Sequence, residues 1–343
     1  DYQTRLGSRR RDELGDLIRH VDSLGDRDAL ALSACVPSTA PQVSPRPETR
    51  PDSRHAQNDA TDTMPQTAGD DGFQAWVAGF KSRAAASGIR TAVVERAFRG
   101  VSYDTDVVRR DRNQSEFTKT IWDYLDSAAS DARIANGRAA LAANRELLNA
   151  IEAKYGVDKQ VVVAIWGLES AYGAFRGSNN TIQSLATLSY DTRRRDFFED
   201  QLLAALRILD NGDVAPENMN GSWAGAMGHT QFMPTSFEAH AVDFTGDGKR
   251  DIWSDDPADA LASTAAYLRH FGWTKGQPWG VEVTLPQGFD YTLANRKVLK
   301  SPTEWARLGI RDINGLPVPE HGAASILLPA GGKGAAFMIF DNF

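Results

Sequence analysis

The 343-residue chain has a single cysteine, Cys35, so no intrachain disulfide can form. It has no run approaching the roughly 18 consecutive apolar residues that a membrane-spanning helix needs. Positive charge is also short: 38 Lys and Arg stand against 45 Asp and Glu, a formal net charge of -7. No basic field exists to draw a nucleic acid, and the short triplet Arg193-Arg194-Arg195 reads as a solvated helix face. A Gly-x-Ser-x-Gly elbow, a phosphate loop and a dinucleotide fingerprint after a strand are all missing, and the 6 histidines show no zinc spacing. These absences exclude the serine-elbow hydrolases, nucleotide enzymes and zinc enzymes, and leave carboxylate chemistry.

Large apolar residues are scarce over residues 36–72, which are rich in Pro, Ser, Thr, Asp and Gln. Such a segment cannot bury enough surface to offset its ordering entropy, so residues 1–72 are expected to be a disordered tether. Within it, Leu32-Ser33-Ala34-Cys35 has the shape of a lipoprotein processing box, with Cys35 as the lipidated residue. Residues 11–29 carry charges where a signal peptide has its apolar core, so chance occurrence stands beside lipid attachment.

From Phe73 the pattern becomes helical. Phe73, Trp76, Val77 and Phe80 make one apolar stripe, and Phe117, Ile121, Tyr124 and Leu125 another. Residues 139–155 predict one helix ending at Gly156, and Asp158 offers an N-cap for a helix over 159–172. Beyond Trp273, residues 281–285 alternate as a half-buried strand does, and 324–328 and 335–340 are strand-like. The fold class is therefore α+β, mainly α: a helical body over 73–280 and a small β unit over 281–343.

Three stretches carry chemistry. The first is Trp166-Gly167-Leu168-Glu169-Ser170-Ala171-Tyr172-Gly173, a carboxylate near the end of an apolar helix. Burial against Trp166 and the negative end of the helix dipole would both raise the pKa of Glu169, as a general acid requires. The competing reading is a structural glutamate paired with Arg176 or Arg207. The second stretch, Gly221 to Phe232, combines small residues with Ser222, His229 and Gln231 as neutral hydrogen-bonding groups beside Trp223, Met227 and Phe232. That mixture suits a sugar, which has hydroxyl edges and apolar faces; tight helix packing is the alternative. The third is Asp243-Phe244-Thr245-Gly246-Asp247-Gly248-Lys249, which follows a calcium loop at positions 1, 3, 5, 6 and 7. Position 12 is Ser254, so Asp255, Asp256 or Asp259 would have to close the site. A plain Asp/Gly turn is the alternative.

In these residues the chain resembles the B-type lytic murein transglycosylases, glycoside hydrolase family 103. The resemblance implies a lysozyme-like helical core. It implies non-hydrolytic cleavage of the β-1,4 bond between N-acetylmuramic acid and N-acetylglucosamine in peptidoglycan, leaving 1,6-anhydromuramoyl ends. Glu169 matches the lone acid and base of that family. Ser222 and Gln231 would contact the sugars, and Tyr124 and Tyr267 would line the cleft. Asp243, Thr245, Asp247, the Lys249 carbonyl and Asp259 would hold a structural calcium ion, with no organic cofactor. The expected setting is the periplasm, as a monomer on glycan strands, with Cys35 as a potential anchor to the outer membrane. The family pattern continues past Phe343 with a Tyr-Asn pair, so the chain reads as truncated. A lysozyme-type hydrolase and a non-catalytic peptidoglycan-binding or scaffold protein are the competing functions.

Overall fold

The computed structural model describes residues 66–112, 126–191 and 194–343. Cys35, most of the expected tether, and Tyr124 with its motif lie outside the described residues. Helix α1 (Gln66–Ala86) turns the Phe73, Val77 and Phe80 spacing into a buried stripe. It begins ahead of Phe73, so the boundary expected there falls inside a helix. Helices α2 (Thr91–Ala97) and α3 (Thr105–Arg112) follow.

The stretch read as one helix up to Tyr155 is two, α4 (Asp131–Ala143) and α5 (Arg145–Tyr155), parted at Asn144. The Asn144 side-chain amide donates to the Ala140 carbonyl at 3.0 Å, the local side-chain bonding by which Asn competes with helix continuation. Helix α6 (Lys159–Ser170) carries Glu169. Strand β1 (Asn179–Asn180) leads directly into α7 (Thr181–Tyr190), whose first turn is capped by the Asn180 side chain accepting from Gln183 N. Helix α8 (Arg195–Asn211) runs along α7 and also touches α2. Strand β2 (Asn220–Gly221) pairs antiparallel with β1, Asn179 opposite Gly221. That short ladder joins the segment after α6 to the glycine-rich segment. Helices α9 (Pro234–His240) and α10 (Ala258–His270) complete the body, α10 packing on α5, α6 and α9. One apolar cluster, with Leu148, Leu185, Leu202 and Leu206 fully buried, joins all of this.

The C-terminal part has its own core. Strands β3 (Gly280–Thr284), β4 (Arg311–Asp312), β5 (Ser325–Leu327) and β6 (Ala336–Ile339) form an antiparallel sheet in the order β4-β3-β6-β5. Alternation along β6 sends Phe337 and Ile339 to one face, against Trp279 and Phe343. Ala336 and Met338 go to the other, with Trp305. Trp305 lies on α11 (Pro302–Arg307), which starts with a Ser301/Glu304 capping box. The Trp305 ring is fully buried and its Nε1 donates to the Ala324 carbonyl at 2.9 Å.

Truncating this anchor should be severe. Trp305→Ala is expected to lower stability by about 3–5 kcal/mol in urea denaturation, as for large buried aromatics generally. A loss under about 1 kcal/mol would show that the sheet does not depend on it.

Candidate active site

Helix α6 buries Val162, Val163, Ile165, Trp166, Gly167 and Ser170, so the apolar run behaves as its pattern predicts. Glu169 itself is half-buried in the last turn, more open than the sequence suggests. The helix also ends earlier than expected, at Ser170. Asp158 sits at the N-cap position without capping; its Oδ2 instead accepts from Trp273 Nε1 at 2.9 Å and from Gly276 N.

What ends α6 is a left-handed run: Ala171 at φ 49°, Tyr172 at 62° and Gly173 at 85°. Among the described residues, the non-glycines at positive φ are Ala171, Tyr172 and Gln231, and all three flank this site. Each such residue is strained by roughly 1–2 kcal/mol and persists only where its surroundings hold it. Here Ala171 N donates to Gly167 O at 3.1 Å and Tyr172 N to Trp166 O at 3.2 Å. The Tyr172 hydroxyl donates to Arg133 O at 2.8 Å, and Gly173 N donates to Ser170 Oγ at 2.9 Å.

The turn is fastened to the glycine-rich segment. Ser170 Oγ donates to His229 O at 2.6 Å, and Trp166 Nε1 donates to His229 Nδ1 at 3.1 Å. An indole N–H only donates, so Nδ1 is the bare nitrogen and Nε2 carries the proton. Nε2 then donates to Ser254 O at 2.8 Å. Burial, chiefly, and the Arg176 charge beside it lower the His229 pKa, against the pull of the Ser254 carbonyl. His229 is 3% exposed with both ring nitrogens engaged, so it is not the sugar-facing group that its neighbours suggested. Farther along, a Cβ on Gly177 would lie 2.1 Å from the Gly221 carbonyl carbon. Only glycine permits that backbone contact, and the φ of 88° also favours it.

Ser222 and Gln231 sit on this fastened wall, half-buried. Ser222 Oγ accepts from Ala224 N at 3.3 Å and Ala226 N at 3.1 Å, which leaves its proton to offer a ligand. Gln231 Nε2 donates to Arg176 O at 3.1 Å and Gly228 O at 2.8 Å, which leaves its Oε1 as an acceptor. Met227 and Phe232 are core, whereas Trp223 is half-open. Tyr267, expected to line the cleft, is 7% exposed and packs edge-on to Phe232, ring centroids 6.0 Å apart. The arginines of the structural alternative are engaged elsewhere: Arg176 with Asp255 at 2.6 Å, Arg207 with both oxygens of Glu238 at 2.7 Å.

The oxygen-rich loop closes as a cluster. Carboxylate oxygens of Asp243, Asp247 and Asp259 lie within 4.8 Å of one another. Thr245 Oγ1 is 3.3 Å from Asp243 Oδ1, and Lys249 N donates to Asp247 Oδ1. Asp259 is 2% exposed in the first turn of α10. Its Oδ1 accepts from Phe244 N and Thr245 N, and its Oδ2 from Asp251 N. The Gly248 N–H, with that of Gly246, holds the Asp243 carboxyl below the usual carboxylate range. The other two acids that might have closed the loop are used elsewhere: Asp255 binds Arg176, and Asp256 accepts from Ala258 N. The donors are hard oxygens, which fits a calcium-class ion and not a transition metal.

Two hollows open elsewhere, around Arg138 and Leu141 on α4, of about 370 and 380 Å³. The second reaches Leu168 and Tyr172, but Glu169, Ser222 and Gln231 line neither.

The family described as "Transglycosylase SLT domain" matches residues 72–343. The membrane-bound lytic murein transglycosylase B of Escherichia coli K12 is 36% identical over 188 residues, 53% of this chain and 49% of that protein. The chain thus spans about half the length of this curated relative. Among solved structures, SltB3 from Pseudomonas aeruginosa, in complex with NAG-NAM-pentapeptide, is 51% identical with a TM-score of 0.76. That match covers 79% of this chain and 73% of SltB3. The Escherichia coli lytic transglycosylase Slt35, in complex with calcium, is 28% identical with a TM-score of 0.65, covering 80% of this chain and 86% of that one. A mainly helical lysozyme-like fold is common to them, and this chain belongs to the SLT-domain transglycosylase family.

Proposed function

We propose that the chain is a lytic transglycosylase of peptidoglycan, cutting the β-1,4 bond between N-acetylmuramic acid and N-acetylglucosamine without water. The observation that carries this reading is the position of Glu169, half-open at the end of a buried helix and fastened beside a wall that offers one donor and one acceptor. The solved complexes of SltB3, with NAG-NAM-pentapeptide and with NAG-anhNAM-pentapeptide, support the same substrate and product.

In this reading Glu169 gives its proton to the glycosidic oxygen as the C1–O4 bond breaks. The 2-acetamido oxygen of the muramoyl residue bonds to C1 and stabilises the cationic centre. The C6 hydroxyl then attacks C1, expelling the acetamido oxygen, and the Glu169 carboxylate takes the hydroxyl proton. One residue serves as acid and then as base, and the 1,6-anhydro ring closes with no water consumed. Asp251 and Asp255 do not supply a second catalytic carboxylate. Asp251 Oδ1 accepts from Trp253 N and Ser254 N, and Asp255 is bound by Arg176. Ser222 and Gln231 would orient the sugar.

The Asp243, Thr245, Asp247, Lys249 and Asp259 loop would hold calcium, and the Slt35 complex with calcium supports that assignment. A calcium ion there would supply charge neutralisation that braces the loop; Asp259 fastens it to α10 by three backbone hydrogen bonds. No helix among the described residues is long and apolar enough to cross a membrane. With peptidoglycan as substrate the chain would work in the periplasm, with Cys35 as its candidate lipid attachment point.

Glu169→Gln should reduce release of anhydromuropeptides from sacculi by roughly 10²–10⁴-fold while leaving sacculus binding intact. Turnover within a few-fold of the parent would refute the assignment. The mass of the products separates this reading from hydrolysis, because anhydro ends are lighter by one water. Adding calcium should raise the melting temperature, by the equivalent of about 2.7 kcal/mol at a hundredfold excess over Kd, and Asp259→Ala should abolish that response. An identical melting curve in chelator and in calcium would remove calcium from the account. Fatty-acid labelling should disappear in Cys35→Ser; labelling that persists there would exclude Cys35 as the anchor.

A further inference from the structure

We propose that His229 is a positioning residue that couples the cation loop to the acid-bearing end of α6. This extends the catalytic reading of Glu169 and rests on it.

One continuous series of hydrogen bonds runs between the two places. Asp259, from the oxygen cluster, accepts from Asp251 N at 2.9 Å. Asp251 Oδ1 accepts from Ser254 N at 3.1 Å, which ties Ser254, the residue whose carbonyl meets His229, to the loop. Ser254 O accepts from His229 Nε2 at 2.8 Å, and His229 Nδ1 accepts from Trp166 Nε1 at 3.1 Å. Trp166 lies one helical turn before Glu169, on the same side of α6. A second fastening acts in parallel, since Ser170, next to Glu169, donates to the His229 carbonyl at 2.6 Å. The His229 ring, its main chain and the loop therefore move together with the end of α6, or not at all.

The ring can serve this way only as the neutral Nε2–H tautomer. A proton on Nδ1 would set one N–H against the indole N–H of Trp166. Burial favours the neutral form, and the Arg176 guanidinium adds to that. Asp251 and Asp255 are the acidic groups that oppose it. Because the pKa is lowered, the coupling is fully present above the ordinary histidine range and is lost only as pH falls through the depressed value. Arg176 reinforces the joint from the side, its guanidinium donating to Ser254 O while its carbonyl holds Gln231.

The two ring nitrogens can be removed one at a time. His229→Gln keeps a donor that reaches toward Ser254 but loses the acceptor for Trp166; His229→Asn keeps an acceptor close to the backbone but loses the reach to Ser254. The readout is the indole N–H resonance of Trp166, assigned with Trp166→Phe and followed in the full chain during titration with calcium chloride. It needs no substrate, so it stands apart from the assignment of Glu169, which Glu169→Gln tests. In the parent, calcium should shift this resonance. In His229→Gln the shift should vanish while the calcium-induced rise in melting temperature remains. Turnover on sacculi should fall about tenfold in kcat with KM unchanged, as a small misplacement of the acid implies. Adding Trp166→Phe to His229→Gln should reduce kcat no further, since both remove one bond. His229→Asn should recover the hydrogen-bonded resonance position but not its response to calcium. A parent resonance that ignores calcium would overturn the proposal, and so would an equal response or an unchanged kcat in His229→Gln. Should His229→Gln fail to fold, the parent titration decides alone.

Discussion

The left-handed run after Ser170 is the constraint on which the rest of the site depends. Three successive residues at positive φ reverse the chain at once, two of them with side chains that disfavour it. The reversal leaves Glu169 half-open at the helix end and carries the following residues across to the glycine-rich segment. Such a turn does not hold itself. It is held by the Trp166 and Gly167 carbonyls from within α6, by Arg133 from α4, and by Ser170 to His229 from the wall. The strain is thus shared with an apolar body of fully buried leucines that has the stability to support it.

That body was legible in the sequence, because helices that bury one stripe must repeat apolar residues at three- and four-residue spacing. The stripe through Phe73, Val77 and Phe80 and strand β3 follow directly from their periods, β5 and β6 fall within the strand-like runs, and the two-residue β4 was not foreseen. What misled was local polar chemistry. Asn144 sits in a run with good helix formers on both sides, and the helix divides there, where its side chain bonds the Ala140 carbonyl. Asp158 has the residue type of an N-cap, yet a tryptophan from beyond α10 claims its carboxylate. Both outcomes depend on partners that no window of local sequence contains. The two-residue pairing of β1 with β2 leaves no periodic trace at all.

The site shows the same division. Glu169 and the first acids of the oxygen loop stand out because each breaks its local pattern, a carboxylate among apolar residues or aspartates spaced by glycine, whereas Ser222 and Gln231 were singled out from their segment only by the family resemblance. Spacing alone left open which acid would close the loop, because position 12 of the calcium-loop pattern is Ser254; Asp259 was named through the family resemblance. In the structure, burial separates the three acids. Asp259 is enclosed and meets three backbone N–H groups, while Asp255 and Asp256 are exposed and serve an arginine and a helix start. His229 was legible as a residue of the wall and misread in its role. A histidine beside glycines and a glutamine suggests a ligand contact, but its flanking positions are core, and burial consumes both of its nitrogens.

The distribution of strain then suggests why acid and wall are built as one unit. Gln231, the third non-glycine at positive φ, is held by the Arg176 and Gly228 carbonyls, and Arg176 follows closely on the Glu169 turn. Its amide nitrogen is spent on that fastening, which leaves only its oxygen to accept a further hydrogen bond. Ser222 is limited in the complementary sense, with two backbone N–H groups on its oxygen and only a proton to give. Neither residue can exchange donor for acceptor without breaking a bond that holds the wall in place. A substrate offering the wrong polarity at either point would therefore leave a polar group unsatisfied, a loss of about 1–3 kcal/mol where water is excluded. In the proposed reading, selectivity at Gln231 would come from the same hydrogen bonds that hold its strained backbone.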